Sequence, residues 1–149
     1  MIWDEVDFDQ RIWTLGSART KNGKAHLVHL SAPALRVLEA TPRLGSFVFT
    51  RTGQFPFQDF TPSKQRLDSL SGVTNWRLHD LRRTVVSGMA QLGVAPHVAD
   101  RILNHVGGTI SGVAAVYQRH EFMAERKQAL NVWGEHVARI RPKGSAHGE

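Results

Sequence analysis

The 149-residue chain contains no cysteine, which excludes a disulfide framework, a thiolate zinc site and a cysteine nucleophile. It is therefore read as an intracellular, cytoplasmic protein. No apolar run approaches the roughly 20 residues of a membrane helix, so no membrane partner is expected. Asp4, Glu5, Asp7 and Asp9 stand where a signal peptide would be cationic. Internal repeats and low-complexity tracts are absent as well. Tyrosine is nearly so, since Tyr117 is the only one.

What remains is basic and of single-domain size. Chains of this length bury about two thirds of their unfolded surface, enough for one core. Lys and Arg outnumber Asp and Glu by 19 to 13, a formal charge of +6. An anionic partner fits that balance, because neutralising phosphates supplies the sequence-independent part of nucleic-acid binding.

The patterning predicts short strands first and helices after. Val6 to Phe8, Ile12 to Leu15 and Leu27 to Leu30 alternate apolar and polar residues as strands do. Asn22-Gly23 is the strongest two-residue hairpin signal, because a type I′ turn needs positive φ at both positions; it would put Lys21 and Lys24 at a hairpin tip. Ser31 is placed as the cap of a helix with Pro33 in its first turn. Residues 46–49 are assigned a further strand, and 62–70 a short helix. Asp80 is read as the N-cap of a helix through Leu92, closed by Gly93, with His79 and Arg82 at its mouth. Pro96 opens another helix, and 113–120 a further one. A last helix over 122–140 is expected to bury Phe122, the stem of Arg126, Leu130, Trp133, Val137 and Ile140. The domain is thus assigned to 1–140, with a polar tail over 141–149.

The chemistry lies in the order His79-Asp80-Leu81-Arg82-Arg83-Thr84, then Leu103-Asn104-His105, then Tyr117. A phenol, with a pKa of about 10, does little near neutral pH unless an electrostatic site activates it as a nucleophile. Arginine binds phosphate oxygens bidentately, and histidine donates to the same group or moves a proton. Tyrosine can then attack phosphorus. The residues imply transfer of a DNA strand onto Tyr117.

The order His-x-x-Arg, Leu-x-His, Tyr resembles the catalytic domain of the tyrosine recombinases, the phage-integrase family. Met1 to Asp7 (MIWDEVD) is similar to the stretch entering that domain's first strand, and Arg19-Thr20-Lys21-Asn22-Gly23-Lys24 to its lysine-bearing hairpin. The likeness runs from Trp3 to about Ile140. It implies an α+β fold, mostly helical, with a small three-stranded antiparallel sheet near the N-terminus. By the same resemblance Tyr117 is the nucleophile, forming a 3′-phosphotyrosyl link without ATP, metal or other cofactor. Arg82 clamps the phosphate oxygens, His79 orients the phosphate and moves a proton, and His105 donates to the scissile phosphate. Lys21, with Lys24 as the fallback, protonates the departing 5′-oxygen. Arg83 is assigned to the DNA backbone.

The chain departs from the family pattern in two places. The family's first catalytic arginine precedes the strand that begins here at Trp3, so the chain alone is expected to be weak or inactive. The step from His105 to Tyr117 is twelve residues, longer than is usual in the family. The preferred reading is the catalytic part of a longer integrase that recombines specific double-stranded DNA sites as a tetramer. The alternative is a non-catalytic remnant that binds DNA or assembles with intact recombinase. A metal-dependent hydrolase fits poorly: the eight histidines include no H-E-x-x-H, and His26 and His29 face opposite sides of a strand.

Overall fold

The computed structural model describes residues 1–104 and 122–140. His105 and Tyr117, the expected helix over 113–120 and the tail therefore lie outside the described residues. After a 3₁₀ turn at Trp3–Glu5 come β1 (Val6–Asp7), β2 (Ile12–Leu15) and β3 (His26–His29). They form one antiparallel sheet in the order β1-β2-β3. Its register is fixed by Val6 opposite Trp13 and Leu15 opposite His26. Helices follow: α1 (Ala32–Glu39), α2 (Phe60–Ser71), α3 (Leu78–Gln91), α4 (Pro96–Ile102) and α5 (Met123–Ile140). The fold is α+β, mostly helical, with its small sheet near the N-terminus, as the family resemblance implies.

One core lies under the sheet. Trp3, Leu30, Leu35, Leu38 and Val48 are buried together, with Val6, Phe8 and Trp13 packed on them. Arg43 lies over the Trp3 ring, 4.5 Å from its centroid, a cation–π contact. Burial raises the Glu5 carboxyl, but hydrogen bonds from Trp13, Ile2 and Arg19, with the Arg19 charge, outweigh it and hold the group below the usual range. Met89, Val98, Ala99 and Ala129 are buried where α3, α4 and α5 meet.

Three local expectations are corrected. The Asn22-Gly23 turn is not a two-residue hairpin: Leu15 pairs with His26, so the connection is a loop over 16–25 containing a 3₁₀ turn at Ser17–Arg19. Gly23 has φ +67°, but Asn22 is not among the positive-φ residues, so the type I′ turn does not form. The segment 46–49 makes only an isolated bridge, Phe47 to Ile2. Asp80 sits in the third position of α3; Arg77 is the N-cap, and its N–H donates to the Asp80 carboxylate at 2.8 Å. Asp80 so secures the helix start from inside.

The buried face of α5 also differs from the apolar spacing. Val137 and Ile140 are 41% and 65% exposed, whereas Arg126, Ala129 and Gly134 are buried. Small residues are needed because the helix approaches α1 closely: a Cβ at Gly134 would come within 2.9 Å of Ser31 Cβ. Not only the stem of Arg126 is buried; its Nη2 donates to the Leu27 carbonyl of β3.

A second tie joins α5 to the sheet. His29 Nε2 lies 3.2 Å from Asn131 Oδ1. Burial lowers the His29 pKa, and the charges of Lys127 and Arg11 push the same way, while the Asn131 bond opposes them. The folded state thus binds this proton less readily than the unfolded chain. That stability is complete above the unfolded value of about 6.5 and is lost as pH falls toward the folded value. In urea titrations at a series of pH values, wild type should lose stability as pH falls below about 6.5 more steeply than His29→Gln. Parallel curves would contradict the assignment.

Candidate active site

Residues Ile102, Leu103 and Asn104, which lead directly into His105, are each held by a different element. His26 on β3 donates from Nε2 to the Ile102 carbonyl at 3.1 Å. A carbonyl only accepts, so this contact sets the proton on Nε2. Arg82 on α3 donates from Nη2 to the Leu103 carbonyl at 2.6 Å. Asn22, in the loop that carries Lys21 and Lys24, donates from Nδ2 to Asn104 Oδ1 at 2.8 Å.

The physical reason is the end of α4. The last carbonyls of a helix have no partner within it, and a cation there also meets the negative end of the helix dipole. His26 and Arg82 supply the donors, and Arg82 the charge. Asn104 then turns the chain with φ +53°, a left-handed conformation asparagine adopts more easily than other non-glycine residues.

Arg82 faces two ways. It lines a cleft of about 350 Å³ together with His79, Arg83, Val86 and Ser87, and it reaches the Leu103 carbonyl. That bond takes one of the five donors of a guanidinium. His79, in the first turn of α3, is exposed and shares the cleft, as a spacing of three on a helix requires. Arg83 is exposed and lies 3.5 Å from Asp80. A surface pair of this kind is worth little, so it does not commit Arg83.

Lys21 and Lys24 are both exposed in a turn closed on itself. Gly23 N–H donates to the Thr20 carbonyl at 3.2 Å. Thr20 Oγ1 donates to the Lys24 carbonyl at 2.7 Å and Lys24 N–H to Asn22 Oδ1 at 3.1 Å. The structure thus brings the lysine turn, Arg82 and the chain entering His105 into one neighbourhood. His79 joins it through the cleft shared with Arg82.

A sequence model of the phage integrase family matches residues 1–122. The chain belongs to the phage integrase family. The prophage integrase IntA of Escherichia coli (strain K12) is 28% identical over 141 residues, covering 91% of this chain and 33% of that protein. This integrase chain thus spans about a third of the length of the curated relative it matches. No solved structure matches it. Among the described residues, no helix is long and apolar enough to cross a membrane.

Asn22, His26 and Asn104 were not singled out as site residues by the sequence. By sequence His26 is a candidate only for metal binding, which its spacing from His29 disfavours. One signal was available for Asn104: asparagine just past a helix end is a common left-handed cap.

Proposed function

We propose that this integrase chain is the catalytic part of a longer, cytoplasmic site-specific recombinase that cuts and rejoins double-stranded DNA through Tyr117. The observation that carries the reading is the convergence of Arg82, the Lys21 turn and residues 102–104 on one neighbourhood. Arg82 and His79 supply cationic and donor groups where negative charge builds on the phosphate. Lys21, on the turn tied to Asn104, is the acid for the departing 5′-oxygen, and Lys24 shares its turn. His105, directly after the anchored Asn104, donates to the same phosphate, and Tyr117 attacks it. The tyrosyl phosphodiester replaces the broken one, so the second strand's 5′-hydroxyl reverses the step without ATP, metal or other cofactor. Arg83, exposed beside the cleft, contacts the DNA backbone. In its longer form the protein works as a tetramer on DNA.

A nicked duplex tests this. Cleavage near the nick releases a short fragment that diffuses away, so even slow cleavage accumulates as protein–DNA adduct. Wild type should form the adduct, and Tyr117→Phe should form none while retaining DNA binding. Adduct formation by Tyr117→Phe, or binding lost together with capture, would contradict Tyr117 as a purely chemical residue. Binding without any wild-type adduct, from this chain and from an N-terminally extended form alike, would favour the non-catalytic reading.

A further inference from the structure

The structure assigns Asn22 and Asn104 a common role: their side chains form a latch that sets the position of the Lys21 turn against the end of α4. The pair is 82 residues apart in sequence and joined at 2.8 Å. Gly23 to Thr20, Thr20 to Lys24 and Lys24 to Asn22 shape the turn from within, Thr20 also bonds back to Ser17, and the adjoining Arg19 pairs with Glu5; of these bonds, Asn22 to Asn104 is the one that reaches the end of α4. Asn22 does both. Its Oδ1 holds the Lys24 N–H while its Nδ2 reaches Asn104.

The other end of the latch is equally fixed. Asn104 follows two residues whose carbonyls are held by His26 and Arg82, and its left-handed backbone (φ +53°) turns the chain at the point where the amide receives Asn22. Lys21 and His105 are each the direct neighbour of one latch residue. Asn22 and Asn104 are therefore positioning residues, and Arg82 supports the same frame from α3. What the lysine does once placed rests on the strand-transfer reading above; the latch itself does not.

The chemistry of amides gives a clean test. Either asparagine can become aspartate and the pair still holds one donor, because the remaining amide can turn its NH₂ toward the new carboxylate. With both changed, two acceptors face each other and the bond cannot form. Asn22→Asp also keeps the acceptor for Lys24 N–H, and aspartate tolerates the left-handed backbone at 104.

Amide hydrogen exchange of the whole chain, read by NMR at Gly23 and Lys24, should show each single variant within about twofold of wild type. The double variant N22D/N104D should exchange about fivefold faster there, as expected for losing one hydrogen bond of ordinary strength, with exchange in α1 unchanged. Equal exchange in the double variant and wild type would overturn the latch, as would single variants that account additively for the double. On nicked DNA, the double variant should cleave slowly, and a sulfur at the leaving 5′ position should restore its rate, since a thiol is far more acidic than an alcohol and leaves without a donated proton. A chain that never cleaves DNA while its exchange follows the predicted pattern would sink strand transfer and leave the latch standing.

Discussion

Arg82→Ala should lower covalent capture of nicked DNA by about 100-fold or more, the range found on removing one preorganised donor from a developing oxyanion. The same substitution should cost about 1–3 kcal/mol of stability, because the Leu103 carbonyl loses a charged donor at 2.6 Å in a partly buried place. Both effects follow from the side chain's double position, in the cleft with His79 and at the end of α4. Arg82→Lys separates them in part. A lysine keeps the charge but cannot span a phosphate and a carbonyl as a planar fork can. It should recover some stability and little of the capture. Single-turnover capture and urea unfolding on the three proteins measure this, and a capture rate unaffected in Arg82→Ala would remove Arg82 from the chemistry.

Gly88→Ala should destabilise the chain by about 2 kcal/mol, within the range for overpacking. On helix propensity alone the sign would be opposite, since alanine in a helix interior is favoured over glycine by about 1 kcal/mol. The structure reverses it: a Cβ at Gly88 would overlap the Trp133 ring at Cζ3 and lie 2.7 Å from Cη2. An indole cannot yield by a rotation of its tip, so α5 must move off α3. Trp133→Leu in the Gly88→Ala background should return part of the loss. A Gly88→Ala protein as stable as wild type would mean that α5 does not dock here.

The docking of α5 shows what the sequence could and could not convey. The sequence pattern located the helix to within a residue, but the apolar spacing put Val137 and Ile140 inside, where the structure exposes them. The contact is made by what the pattern undervalues. Ala129 and Gly134 are too small to stand out, and Arg126 is buried with its guanidinium on a backbone carbonyl. Periodicity reports which face is greasy, and a close helix approach is instead decided by which side chains are missing.

The site was legible in a similar, partial way. His79 and Arg82 were marked by their spacing, and the structure sets them on one cleft. The frame that brings the Lys21 turn to the end of α4 was not visible. Asn22 to Asn104 and His26 to Ile102 are single polar contacts between distant segments, and such a contact leaves no local pattern. Asn22-Gly23 carried a strong local signal for the wrong turn. The register of β2 and β3 requires a ten-residue connection, and in it the asparagine amide is used to fasten the loop.

The proposed chemistry turns on transfer of a DNA strand to Tyr117, and mapping the captured adduct tests it most directly. Wild-type protein would be trapped on a nicked duplex, digested with trypsin and nuclease, and sequenced by mass spectrometry. The expected product is a nucleotide linked through its 3′-phosphate to the peptide containing Tyr117. A nucleotide on any other residue, or linkage through a 5′-phosphate, would contradict it.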